Sequence, residues 1–326
     1  MNSEKMLLYA IEQGEAPVVR SLVNSGTNVL ARIAAGDDDA LTVLVSEEYY
    51  NFSHSPDDYL PLHFAVLRGS SEIVETLLDA GSQVNFANKN SDTPLHLAAL
   101  VENPEMVKIL LRWGADPNAI NTCFERPLHF TAFHINTDIV KILKEAGAKL
   151  DSQNQDEETP LHLAILHNNN KVAKTLIELG ANVNIQGRRD GNTPLHLAVQ
   201  HRKDPSIILD LVTARGADVN IRNSQGNTPL HLIARQAEYG DIKNAVSFIN
   251  AREIGQSCRR ESSIIDIVRI LMTNGADPSI KNKRGKVPEH DSITEFLEER
   301  SRSGLIQTPG SRLSNVSDEP IAGPSW

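Results

Sequence analysis

Short apolar runs recur in pairs along most of this chain, with polar turns between them. In one pair, the run 95–100 is followed by a second run at 106–111. Each run has the length of a short helix, and a short helix cannot bury an apolar face by itself. The pattern therefore predicts helical hairpins that stack on one another to form a continuous core.

A Pro-Leu-His core marks the start of the first run in each pair. Its prolines stand at positions 61, 94, 127, 160, 194 and 229, so the period is 33 to 35 residues. Threonine before proline suits a helix N-cap, and proline is favoured at the first helical position. Glycines placed to end the second helix close the units, at Gly81, Gly114, Gly147, Gly180, Gly216 and Gly275.

The segment Thr93-Pro94-Leu95-His96-Leu97-Ala98, repeated near every 33 residues, resembles the ankyrin repeat. The resemblance covers roughly residues 4 to 300. It implies an all-α solenoid of stacked helix-turn-helix units with β-turn or hairpin connections. It also implies that the motif histidines bond within the hairpin and hold the helix start. The motif residues with this structural role are Thr93, Pro94, His96, Thr159, Pro160, His162, Thr193, Pro194, His196, Thr228, Pro229 and His231.

The same spacing divides the chain into segments. We expect an N-terminal capping unit at 1–34, an insertion or degenerate half-repeat at 35–56, six repeats at 57–283, a capping helix at 284–300 and a disordered tail at 301–326. Within the sixth repeat, 237–262 is surplus. Its apolar positions follow i, i+3, i+4, i+7 and predict an amphipathic helix, which either covers the flank of the array or docks a partner. These positions are Ile242, Ala245, Val246 and Ile249.

Composition narrows the function. The net charge of −10 argues against nucleic-acid binding through a basic face. The two cysteines form no disulfide framework, and no signal peptide or membrane-spanning apolar run is visible. We therefore expect a monomeric cytoplasmic protein, in its own cell or in a cell that receives it.

No catalytic motif, cofactor loop or metal-ligand spacing appears, so we expect neither an enzyme nor a cofactor or metal. Three further histidines, His134, His167 and His201, each lie seven residues after a motif proline. Packed helices are about 8–10 Å apart, whereas zinc ligands converge to about 2.0–2.1 Å from the metal, so a shared metal is disfavoured. An ordinary exposed surface or a pH-sensitive partner contact remains.

In ankyrin-like arrays, partners are gripped by turn tips and by first helices on the concave side. The resemblance implies this role for the apolar residues that lie six residues after each proline and for the acidic turn residues beside them. These are Leu67, Leu100, Phe133, Leu166, Asp92, Glu125, Asp156 and Glu158. Phe133 is the expected anchor, unless these side chains belong to the core. Phe124 stands where the family has glycine, so we expect a distorted turn there.

The sequence thus predicts a non-enzymatic module that binds another protein through the concave face of the array. Two more specific alternatives stay open. One is a secreted effector of an intracellular bacterium that targets a host protein. The other is an inhibitor-type regulatory protein of a eukaryotic cell.

Overall fold

The computed structural model describes residues 3–30, 60–187, 190–201, 203–235, 264, 266–289, 293–294 and 297–298. The 35–56 segment, the helix expected within 237–262 and the tail at 301–326 lie outside these residues. Within the described ranges all regular structure is helical.

The helices come in pairs, as the sequence predicts. An N-terminal unit has helices Ser3–Glu12 and Ala16–Asn24. Units 1 and 2 follow with Pro61–Arg68 and Ser71–Asp79, then Pro94–Leu100 and Pro104–Arg112. Unit 3 has Pro127–Phe130, continued by a 3-10 turn Thr131–Phe133, and then Thr137–Glu145. Units 4 and 5 have Pro160–Leu166 and Asn170–Glu178, then Pro194–Gln200 and Pro205–Thr213. In unit 6, residues 229–235 and 266–273 are helical.

The units stack in two layers. From the N-terminal unit to unit 5, each first helix contacts the first helix of the next unit, and each second helix contacts the next second helix. This stacking buries one continuous apolar cluster that runs from Leu7 to Ile293. Leu297 packs against the same cluster while partly buried. The fold is therefore the predicted all-α solenoid.

Glycine ends the second helices for a conformational reason. In unit 1, Gly81 has φ +90°, and its N–H donates to the carbonyl of Leu78 while that of Ser82 donates to Leu77. These two bonds are the Schellman arrangement, which satisfies the carbonyls left over at a helix end. The glycines at 114, 147, 180, 216 and 275 also have positive φ.

Candidate functional site

The motif histidines fix each helix start and also cross to the next unit. In unit 4, the backbone N–H of Thr159 donates to Nδ1 of His162 at 3.2 Å. Nδ1 is therefore the acceptor, so the ring proton is on Nε2, which donates to the carbonyl of Asn192 at 3.2 Å. The expected hold on the helix start is present, but the second bond extends beyond its own hairpin.

All six units repeat this arrangement. Nδ1 lies 3.0–3.2 Å from the backbone nitrogen three residues earlier, even where Leu60 or Arg126 replaces threonine. Nε2 lies 3.0–3.3 Å from a carbonyl oxygen 23 to 55 residues ahead. Burial lowers the pKa of His162 to about 4. Neutral histidines thus form a ladder of bonds between units, which we call the histidine ladder.

Asparagine closes most of the described turns between units. Oδ1 of Asn121 accepts the backbone N–H groups of Cys123 and Glu125, both at 2.9 Å. Its Nδ2 donates to Asp92 of the preceding turn at 3.0 Å. Asp92 is fully buried, so the expectation that it edges an exposed partner surface is wrong. It is an acceptor that joins two turns.

Phe124 keeps its turn regular. The backbone N–H of Asn121 donates to the carbonyl of Glu125 at 3.0 Å, as the N–H of Asn154 does to Glu158 in the next turn. The expected distortion is therefore absent. Phe124 instead adopts φ +58°, where glycines 191, 226 and 285 stand in later turns, and its side chain is 53% exposed. A bulky residue in this region of φ stores strain.

A neighbouring position in the same turn lacks a bond that later turns make. Gln153 and Gln186 each donate through Nε2 to a carbonyl of their own turn, at 2.7 Å, and to one of the next turn, at 3.2 and 3.0 Å. Ile120 occupies this position before unit 3 and has no donor to offer. It is instead exposed.

The four apolar positions after the motif do not behave alike. Leu100 is only 5% exposed and belongs to the core, so its predicted contact with a partner is wrong. Leu67 and Leu166 are half-buried and pack against the core. Phe133 is half-buried, and its ring lies 4.4 Å from that of His167.

The first helix of unit 3 ends differently from its neighbours. Gly69, Glu102 and Asn168 have positive φ at the eighth residue after their prolines. Unit 3 has Ile135 there, and a β-branched side chain disfavours that conformation. The helix tightens into its 3-10 turn, His134 becomes extended, and Ile135 is left 66% exposed.

A side chain of unit 4 forms hydrogen bonds with the backbone carbonyls at this irregular helix end. Nδ2 of Asn169 donates to the carbonyl of Ala132 at 3.1 Å and to that of His134. Its Oδ1 accepts the N–H of Val172 and caps the second helix of unit 4. The irregular end of unit 3 is therefore held in place.

The second set of histidines lies at this end of the first helices. His134 is half-buried with Nδ1 3.9 Å from Glu102, whereas His167 and His201 are exposed. Burial lowers the pKa of all three, and Lys203 lowers it further for His167 and His201. The charge change of a pH-sensitive contact would therefore fall below the usual range for histidine.

Within the ranges that the structure describes, no group of three or more His, Cys, Asp or Glu side chains could hold a metal ion. None of the helices described is long and apolar enough to cross a membrane.

Comparison with known proteins gives a consistent picture. The family model for ankyrin repeats in three copies matches residues 29–121 and 128–223, and the single ankyrin-repeat model matches 225–283. NF-kappa-B inhibitor zeta of Homo sapiens and of Bos taurus are each 29% identical over 105 residues, which cover 27% of this chain and 15% of the relative. The chain thus matches a small part of these relatives.

Among solved structures, the ankyrin repeat domain of Bcl-3, described as a unique member of the IkappaB family, matches with a TM-score of 0.60 and 25% identity. The match covers 74% of this chain and 98% of that domain.

Proposed function

Because this chain belongs to the ankyrin-repeat family, we propose that it is a non-enzymatic module that grips a partner protein along the first helix of unit 3 and the turns beside it. The face consists of the apolar residues Leu67, Phe124, Phe133, Ile135 and Leu166, the acids Glu125, Asp156 and Glu158, and the histidines His134, His167 and His201.

One observation carries this proposal. Ile135 and Phe124 are the two most exposed large apolar side chains of the described residues, and they flank the same short helix. Exposed apolar groups mark interaction sites when they form one patch, and the first helix of unit 3 with half-buried Phe133 lies between these two residues in the chain. The helical residues 127–133 span about 12 Å, so about four residues of an extended partner segment would run along this helix between the two side chains.

The acidic residues near Phe124 indicate which charge the partner segment should carry. Glu125, Asp156 and Glu158 are half-buried around the turns that enter units 3 and 4. A segment with lysine or arginine beside an apolar anchor complements them, and such complementarity favours both encounter and selectivity.

The likeness to NF-kappa-B inhibitor zeta and to the Bcl-3 repeat domain favours the regulatory alternative. We therefore propose a transcription factor of the NF-kappa-B type as the partner. The effector alternative has no such support in these comparisons.

Phe124→Gly tests the proposed face because it should raise the stability of the array and lower its affinity for the partner. Glycine relieves the positive φ, so the free energy of unfolding should rise by about 1 kcal/mol. Loss of an aromatic anchor should weaken binding by about 2 kcal/mol, roughly thirtyfold in affinity. Biolayer interferometry with a purified NF-kappa-B dimer, alongside urea denaturation, measures the two effects.

Ser91→Gly is the matched control, because Ser91 has φ +62° in an equivalent turn. It should stabilise the array and leave binding unchanged. If Phe124→Gly binds like the wild type, the face is wrong. If the wild-type chain does not bind the dimer at all, the partner class is wrong.

A further inference from the structure

A polar cleft of about 250 Å³ lies at the C-terminal end of the array. One wall comes from the first helix of unit 6, with His231 and Arg235, and the other from the last turn, with Arg284 and Lys286. His231 and Arg235 are four residues apart, so they share a helix face.

The backbone around this cleft is held by bonds to the array. Nε2 of His231 donates to the carbonyl of Lys286 at 3.1 Å, and the N–H of Lys286 donates to Oδ1 of Asn282 at 3.1 Å. Nδ2 of Asn282 donates to Asn227 of the preceding turn at 2.9 Å. None of these bonds uses the charged ends of the lining side chains.

The cleft gathers positive charge on a chain whose net charge is −10. Arg235, Arg284 and Lys286 line it with a single carboxylate, Glu289. In the described part of the chain, none of these three cations forms an ion pair. By contrast, Arg20, Arg68 and Arg112 each pair with a glutamate. Three cations that line one cleft with a single carboxylate attract a further anionic group.

Size and geometry decide which anion fits. Small-molecule pockets usually have volumes of about 300–1,000 Å³, so this cleft suits one side-chain group rather than a nucleotide or cofactor. Two guanidinium groups match the planar, bidentate geometry of carboxylate or phosphate oxygens. A long nucleic acid would meet the repulsion of the acidic remainder of the chain.

We propose that this cleft binds an acidic segment of a partner protein, with one carboxylate or phosphate group seated between Arg235, Arg284 and Lys286. The inference rests on the proposed function only in that the partner is a protein. The cleft belongs to unit 6 and the last turn, so it is separate from the face around unit 3.

Fluorescence anisotropy with three labelled peptides on the full chain tests the proposal. The sequences Gly-Glu-phosphoSer-Glu-Gly and Gly-Glu-Glu-Glu-Gly should bind, and Gly-Gln-Ser-Gln-Gly should not. Tighter binding of the first peptide would identify phosphate as the preferred group, and equal binding would identify carboxylate. Failure of both acidic peptides to bind would overturn the proposal even if a partner still binds at unit 3.

Arg284→Gln/Lys286→Gln should weaken the acidic peptides by about tenfold or more, because it removes two charge-assisted contacts. The control Lys108→Gln/Lys141→Gln removes the same charge from exposed lysines that pair with Glu105 and Asp138. It should leave binding unchanged. Equal losses in both variants, or tighter binding of a 12-base-pair DNA duplex than of the peptides, would refute a specific acidic-peptide site.

Arg235→Gln offers an independent check from the opposite wall, in case the double variant unfolds. It should also weaken the acidic peptides by about tenfold. Thermal melts of all variants should match that of the wild type, since the backbone bonds to His231 and Asn282 remain. Retention of full binding by Arg235→Gln would contradict the seating of the anion between the two walls.

Discussion

The histidine ladder predicts that acid weakens the array at a pH where exposed histidines would have no such effect. Burial lowers the pKa of His63, His129, His162 and His196 to about 4. In the unfolded chain the value is about 6.5, so between these two values the unfolded state binds more protons. Their contribution to stability is therefore complete above about pH 6.5 and declines as the pH falls towards 4.

The magnitude follows from the difference between the two pKa values. At about pH 5.5, one unit below the unfolded value, each histidine removes about 1.4 kcal/mol of stability. Four such histidines together remove about 5 kcal/mol, which is comparable with the whole stability of a modest domain. A proton on Nδ1 would also abolish the hydrogen bond that Nδ1 accepts from the backbone N–H. The folded protein therefore cannot take up this proton without losing a bond.

Comparison of the wild type with His162→Gln isolates one member of the ladder. Urea titrations at about pH 7.5 and 5.5 give the stability of each protein, and all other titrating groups cancel in the difference. The advantage of the wild type should shrink by about 1.4 kcal/mol at the lower pH. A difference that stays constant would mean that His162 binds protons equally in both states, and the argument from burial would fail.

Two further substitutions test the local geometry. Thr159→Ala should cost about 1 kcal/mol in urea denaturation, since the hydroxyl lies 2.8 Å from Nδ1 of His162 and caps the helix; unchanged stability would contradict the capping role. Gly191→Ala should cost about 1 kcal/mol more than Gly147→Ala, because a Cβ at 191 would lie 2.7 Å from the Ser224 hydroxyl, whereas nothing lies within 4 Å at 147. Equal losses at the two glycines would show that the turn yields to the added methyl group.

Much of the fold follows from local signals that the sequence displays. Thr-Pro marks where a first helix begins, and glycine marks where a second helix ends, because each has one dominant conformational use. The asparagines before most of the motifs close their turns with Oδ1, as Asn154 does by accepting the N–H groups of Asp156 and Glu158. These interactions span two to five residues, so pattern alone suffices to predict them.

The hydrogen bonds between neighbouring units could not be predicted from short sequence motifs. Nδ2 of Asn85 donates to the carbonyl of Gly114 at 3.0 Å, and Asn118 does the same to Gly147 one unit later. Alignment of the units at their period would have shown this second column of asparagines, which continues with Asn184 and Asn220. The same alignment could not show that Asp92 is buried, because its burial depends on how closely two turns approach.

The candidate site was predicted only in part, for a related reason. Positions six after the prolines were treated as equivalent, but Leu100 ends a regular helix and Phe133 ends a 3-10 turn. Helix type sets only Phe133 apart, because Leu166 ends a seven-residue α-helix as Leu100 does and is nevertheless half-buried. Equal spacing in sequence therefore does not give equal exposure. Ile135, the most exposed large apolar residue described, followed from a backbone conformation that the apolar pattern does not encode.

Unit 3 combines three features that cost stability or leave an apolar side chain exposed. Phe124 has the positive φ that Ser91 and Glu157 have in the flanking turns, but it places an aromatic ring in solvent there. Ile120, like Ala87 one unit earlier, lacks the donor that Gln153 and Gln186 use. Ile135 replaces a residue with positive φ. Strain and lost bonds persist in proteins where the surrounding structure holds them, and they gather at functional sites. Here that support comes from Asn169 of unit 4 at one end of the helix and from the regular Asn121 turn at the other. The stability given up at these positions places apolar side chains in solvent at both ends of one helix, and a partner that covers them would recover the loss on binding.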